Sequence, residues 1–119
     1  MKKILLIDDD PNEHKLFDFY VSSVLNDQVE LHNATTLDEG LCALSRQHFD
    51  AVFLDNRLKP YDDFRQTLPL LTGHVNGIRL FVISASVDDP CFDEVDAFPI
   101  DAVVDKYRVK DELAAGLLA

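Results

Sequence analysis

The stretch that decides the fold is Ile4-Leu5-Leu6-Ile7-Asp8-Asp9-Asp10-Pro11. Four apolar residues in a row fit a β-strand covered on both faces, and the three carboxylates that follow mark the point where that strand leaves the core. A second run, Ala51-Val52-Phe53-Leu54, also ends on an acid, Asp55. Two strands of one sheet therefore deliver carboxylates to the same edge. Working outward, strand-like runs recur at residues 29–31, 80–83 and 102–104, with helix-like stretches between all five. Such alternation predicts an α/β domain built on a parallel sheet. Val29-Glu30-Leu31-His32 alternates apolar with polar, which suits an exposed edge strand.

Helix starts are written in the local chemistry. Asp10-Pro11-Asn12-Glu13 offers a capping acid, proline at the first helical position and a glutamate spaced for a capping box. Leu16, Phe17, Tyr20, Val21 and Val24 are the expected inner stripe. Thr36-Leu37-Asp38-Glu39 repeats the capping pattern ahead of Leu41 and Leu44. A third helix is expected to begin near Asp62 or Asp63 and to end before Gly73. A short fourth begins at Asp89-Pro90 and is stopped by Pro99. A last one starts near Val109 and runs through Leu113 and Leu117.

The chain has 119 residues, 47% of them hydrophobic, which is the size of one ordinary domain. Eleven Lys plus Arg against 22 Asp plus Glu give a formal net charge of −11, which opposes association with nucleic acid or anionic lipid and favours a divalent cation or a basic protein surface. Cys42 and Cys91 are too few for a disulfide framework and lack metal or redox spacing, so Cys42 is read as packing. No apolar run reaches signal-sequence or membrane length, and a cytoplasmic location is expected. His14, His32, His48 and His74 share no ligand spacing and are read as surface or loop residues.

In an open parallel sheet, ligands bind beyond the carboxyl ends of the strands, near the point where the order of connections reverses. The polar residues expected there are Asp8, Asp9, Asp55, Ser84 and the pair Asp105-Lys106. Carboxylates so close repel unless a divalent cation neutralises them, and magnesium suits a site of one or two carboxylates shared with waters and phosphate oxygens. An aspartate there can attack phosphorus, with the cation and Lys106 offsetting charge on the phosphoryl oxygens.

These residues, in this order and spacing, resemble the receiver domain of two-component response regulators over the whole chain. The resemblance implies a five-stranded parallel sheet of order 2-1-3-4-5 with helices on both faces. It implies Asp55 as phosphoacceptor, Asp8, Asp9, Asp55 and the backbone carbonyl of Arg57 around Mg2+, and Ser84 and Lys106 on the phosphoryl group. Asp10 is instead the helix cap. The expected function is that of a single-domain response regulator spanning residues 1–119 without an output domain. It would take its phosphoryl group from a histidine kinase or a histidine phosphotransfer protein, and act by contacting another protein or passing the group on. Its only chemistry would be self-phosphorylation and autodephosphorylation. The alternative is a degenerate receiver acting as a phosphorylation-independent interaction module. A haloacid-dehalogenase-like phosphatase needs an acid two residues after its nucleophile, where this chain has Arg57. A flavodoxin-like FMN carrier needs hydroxyls where it has acids.

The chain departs from the family's pattern in the loop after Asp55, where Pro60 comes one residue late and the usual glycine is missing, and at three single positions. Arg57 places a guanidinium beside the acids, where it is expected to pair with Asp9 or to shield the phosphoryl group from water. Tyr107 stands where proline usually follows the lysine, so the Lys106–Tyr107 bond is expected to be trans. Val103 replaces the aromatic residue that swings inward on phosphorylation.

Overall fold

A computed structural model describes residues 1–118. Five strands, β1 (Lys2–Ile7), β2 (Val29–Ala34), β3 (Ala51–Asp55), β4 (Arg79–Ser84) and β5 (Ala102–Asp105), form one parallel sheet in the order β2-β1-β3-β4-β5. The expected order is therefore present, with β2 at one edge. Register pairs Ile7 with Ala34 on one side and with Leu54 on the other, so the carboxyl ends of β1 and β3 lie together. The chain passes from β1 outward to β2, then crosses back to β3. This reversal opens a crevice beside Asp8 and Asp55.

Strand side chains alternate between the two faces, and the core divides accordingly. Ile4, Leu6, Phe53, Phe81 and Ile83 face α1 (Pro11–Leu25) and α4 (Val109–Ala114), packing on Phe17, Val21, Val109 and Leu113. Phe17 and Phe81 both meet Phe53, each at 4.9 Å between ring centroids. Leu5, Ile7, Val52, Leu54, Leu80 and Val82 face the opposite layer, which holds α2 (Leu37–Arg46) and α3 (Phe64–Leu71). Here α2 lies almost on the sheet: a Cβ built on Gly40 would stand 2.5 Å from Ile7 Cδ1.

Capping follows the sequence, with one variation. Asp10 accepts from Asn12 N, Thr36 from Glu39 N and Asp63 from Arg65 N. Neither capping box closes on its own cap residue, because Asp10 N donates to Asp8 and Glu39 turns to Thr35. Two apolar assignments change. Leu16 is 46% exposed while Phe17 and Val21 are buried, and Cys42 is exposed rather than packed. The last helix ends at Ala114, before Leu117.

Between β4 and β5 the expected short helix is replaced by two 3-10 turns, Pro90–Phe92 and Val95–Ala97. Prolines at 90 and 99 bound the segment, and Asp89, Asp93, Glu94 and Asp96 would repel at helical spacing. Packing holds it instead: Phe92 stacks on Phe64 at 5.3 Å and Phe98 meets the same ring edge-on at 5.0 Å. Among the described residues, no helix is long and apolar enough to cross a membrane.

Candidate functional site

Of the six side chains expected at the carboxyl edge, Asp8, Asp9, Asp55, Ser84 and Lys106 converge there, while Asp105 caps the turn after β5 by accepting from Tyr107 N. Asp8 is fully buried at the end of β1, and its backbone N–H continues the ladder by donating to the Ala34 carbonyl. Asp55 closes β3 and Ser84 closes β4, both buried. Lys106 follows β5 and lays its ammonium between two acids, 3.1 Å from Asp55 Oδ1 and 3.4 Å from Asp8 Oδ2. Asp9, half-buried, holds the loop after β3 by accepting from Lys59 N at 3.3 Å. A pocket of about 140 Å³ opens over Asp55, lined by Asn56, Arg57, Ser84, Ala85, Ser86 and Lys106.

Electrostatically the site is unbalanced. Burial pushes the Asp8 carboxyl up to about 6, and the Asp55 charge adds to the rise despite opposing contributions from the Asp10 N–H and from Lys106. Burial alone would lower the Lys106 ammonium, but Asp55 and Asp8 outweigh it and hold the ammonium above its usual range. One cation faces three carboxylates. Asp8 Oδ1 accepts from Asp10 N at 2.9 Å, while Oδ2 is the only buried side-chain polar atom among the described residues with no hydrogen-bond partner. The Lys106 ammonium is too distant for a good hydrogen bond to it.

Asp8, Asp9 and Asp55 each offer an oxygen, all within 4.8 Å of one another. An orphaned carboxylate oxygen amid clustered oxygen ligands fits a hard divalent cation such as magnesium. Lys106 alone cannot balance the three carboxylates.

Ser84 is turned aside: its hydroxyl donates to the Ser86 carbonyl at 3.1 Å and accepts from Ser86 N at 3.0 Å. Arg57 does not pair with Asp9. Its guanidinium reaches Asp89 Oδ2 at 2.6 Å, across the pocket's rim, because Asp89 is held there as the cap of the first 3-10 turn. The Arg57 N–H points to Asp55 Oδ1 at 3.4 Å. Lys106–Tyr107 is trans, the cis bond among the described residues being Lys59–Pro60.

Residues that the sequence reading passed over complete the scaffold. Asn56 is buried, accepts from Phe64 N at 3.0 Å and donates to Cys91 Sγ at 3.6 Å, tying the end of β3 to α3 and to the 3-10 segment. His14, expected at the surface, is buried, with Nε2 2.7 Å from the Asp8 carbonyl oxygen and Nδ1 2.7 Å from the Asn33 side-chain amide. Its spacing from Phe17 and Val21 is helical, three and then four residues, so extending the inner stripe one turn back would have reached it.

No protein-family model matches this sequence, nor does any curated protein sequence. Solved structures do match. The receiver domain of the Francisella response regulator 1452 superposes with a TM-score of 0.76 at 20% identity, over 99% of this chain and 96% of that one. The chemotaxis response regulator CheY4 of Vibrio cholerae gives 0.80 at 14% identity, over 98% and 96%. The fold is that of a response-regulator receiver. A CheY-like receiver domain protein from Methanospirillum hungatei has the same receiver fold at 22% identity and a TM-score of 0.75, over 98% of this chain and 90% of that one.

Proposed function

We propose that this receiver-fold chain accepts a phosphoryl group on Asp55 in a magnesium-dependent reaction, and signals by contacting another protein or by passing the group on. The observation that carries this reading is the orphaned Asp8 Oδ2 beside Asp9 and Asp55, with one lysine reaching toward it. Asp8, Asp9, Asp55 and the Arg57 carbonyl would hold the cation, Asp8 through water. When bound, magnesium supplies positive charge to the carboxylates and to the transferring phosphoryl oxygens.

The protein's own groups account for the remaining chemistry. An Asp55 carboxylate oxygen forms a bond to phosphorus as the bond to the donor breaks, and the electron pair leaves with the donor, a phosphohistidine or a small acyl phosphate. Lys106, already 3.1 Å from Asp55, is placed to pair with the phosphoryl oxygens. The Ser84 hydroxyl would exchange the Ser86 carbonyl for one of those oxygens, a rotation that also releases the loop after β4. Chemistry of this kind needs a phosphodonor protein, and a histidine kinase or histidine phosphotransfer protein is the partner the reading requires.

Beryllofluoride, which mimics a phosphoryl group on aspartate, provides the test. Amide NMR signals of Asp55, Asn56, Ser84 and Lys106 should shift together when magnesium and beryllofluoride are both present. Unchanged spectra would instead support an interaction module that does not cycle phosphate.

A further inference from the structure

We propose that His14 is the positioning residue that sets the direction of the Asp8 and Asp9 carboxylates for magnesium, an inference that rests on the metal reading above. Asp8 is pinned at three atoms. Its N–H donates to the Ala34 carbonyl at 3.0 Å, its Oδ1 accepts from Asp10 N at 2.9 Å, and its carbonyl oxygen meets His14 Nε2 at 2.7 Å. Oδ2 alone has no hydrogen bond, only the Lys106 ammonium 3.4 Å away, and it belongs to a carboxylate that clusters with those of Asp9 and Asp55.

The carbonyl that His14 holds belongs to the peptide joining Asp8 to Asp9. A carbonyl can only accept, so Nε2 carries the proton and donates. Fixing that oxygen fixes the rotation of the peptide plane, and with it the angle between two successive carboxylates. The next residue, Asp10, caps α1, so His14 also ties the first turn of α1 to the strand end it follows.

His14 is itself held. With Nε2 donating, Nδ1 accepts, and the Asn33 side-chain amide on β2, 2.7 Å away, turns its nitrogen to donate to it; His14 is 8% exposed, which keeps water from competing for Nε2. Asn33, His14 and the Asp8 carbonyl form a relay from the edge strand into the site. Groups that orient metal ligands in this indirect way change affinity about 10–100-fold when removed, and His14 acts one peptide bond from the carboxylates.

The test is magnesium affinity measured by calorimetry and by the shifts of the Asp8 and Asp9 amide signals. His14→Phe keeps a ring of similar size but donates nothing, and magnesium binding should weaken about tenfold. His14→Gln retains an amide donor near the Nε2 position, and affinity should return to within about threefold of the wild type on the same scale. Val21→Ala, in the same helix but away from Asp8, loosens packing and should leave affinity unchanged in the folded protein. Equal affinity in His14→Phe and the wild type would overturn the role of His14 alone. A wild type that binds no magnesium would overturn both this inference and the metal reading. Weakening in Val21→Ala equal to that in His14→Phe would reduce His14 to a packing residue.

Discussion

Asp8 shows most sharply what the site demands of the fold. Its carboxylate is fully buried, one oxygen lacks a partner, and burial has pushed its titration up to about 6. At neutral pH the metal-free protein therefore carries a destabilising charge. Asp8→Asn should raise the stability of the metal-free protein by about 1–3 kcal/mol while weakening magnesium binding. Urea unfolding in the presence of a chelator measures the first effect, and a loss of stability would mean that Lys106 already balances Asp8. Asp8, Asp9, Asp55, Ser84 and Lys106 were legible in the sequence because each ends a recognisable strand, and strand ends of a parallel sheet share one edge. The partners of Arg57 and His14 were not. Both depend on hydrogen bonds made across the fold, to Asp89 and to the Asp8 carbonyl, which no local spacing records.

Among the elements, α3 is where the site meets the rest of the structure. Asn56 accepts from Phe64 N, Asp63 caps the helix, and Phe64 carries the rings of Phe92 and Phe98. Arg65 donates to both oxygens of Asp63 and, more than any other group, holds this carboxyl below its usual range. A depressed acid stabilises the folded state at pH above its unfolded value near 3.8, and that contribution is lost as pH falls through the lower folded value. Asp63→Ala should accordingly cost about 1–2 kcal/mol at neutral pH, with the gap to wild type closing in strong acid. Equal differences at both pH values in urea unfolding would contradict this account. The 3-10 segment after β4 was the least legible element, since proline and acids there argued for a short helix start. What holds it is a pair of phenylalanines on Phe64, a tertiary contact.

At the scale of the whole molecule, sheet order was legible from five apolar runs and their resemblance to a receiver, and it brings the acids of β1 and β3 to one crevice. Arg57, Val103 and Tyr107 leave that crevice intact and alter its surroundings. Arg57 clasps Asp89 on the rim, Val103 sits in β5 where an aromatic swing is impossible, and Tyr107 is 80% exposed beside Lys106. The crevice thus follows the receiver pattern more closely than its surroundings do. A net charge of −11 adds a general repulsion that a bound cation relieves locally.

Phosphoryl transfer to Asp55 is the step on which the proposed function rests. Incubation with magnesium and acetyl phosphate, followed by intact-mass measurement, tests it most directly. The wild type should gain the mass of one phosphoryl group, and Asp55→Ala should gain none. No gain on the wild type, or an equal gain on Asp55→Ala, would mean that Asp55 is not the acceptor.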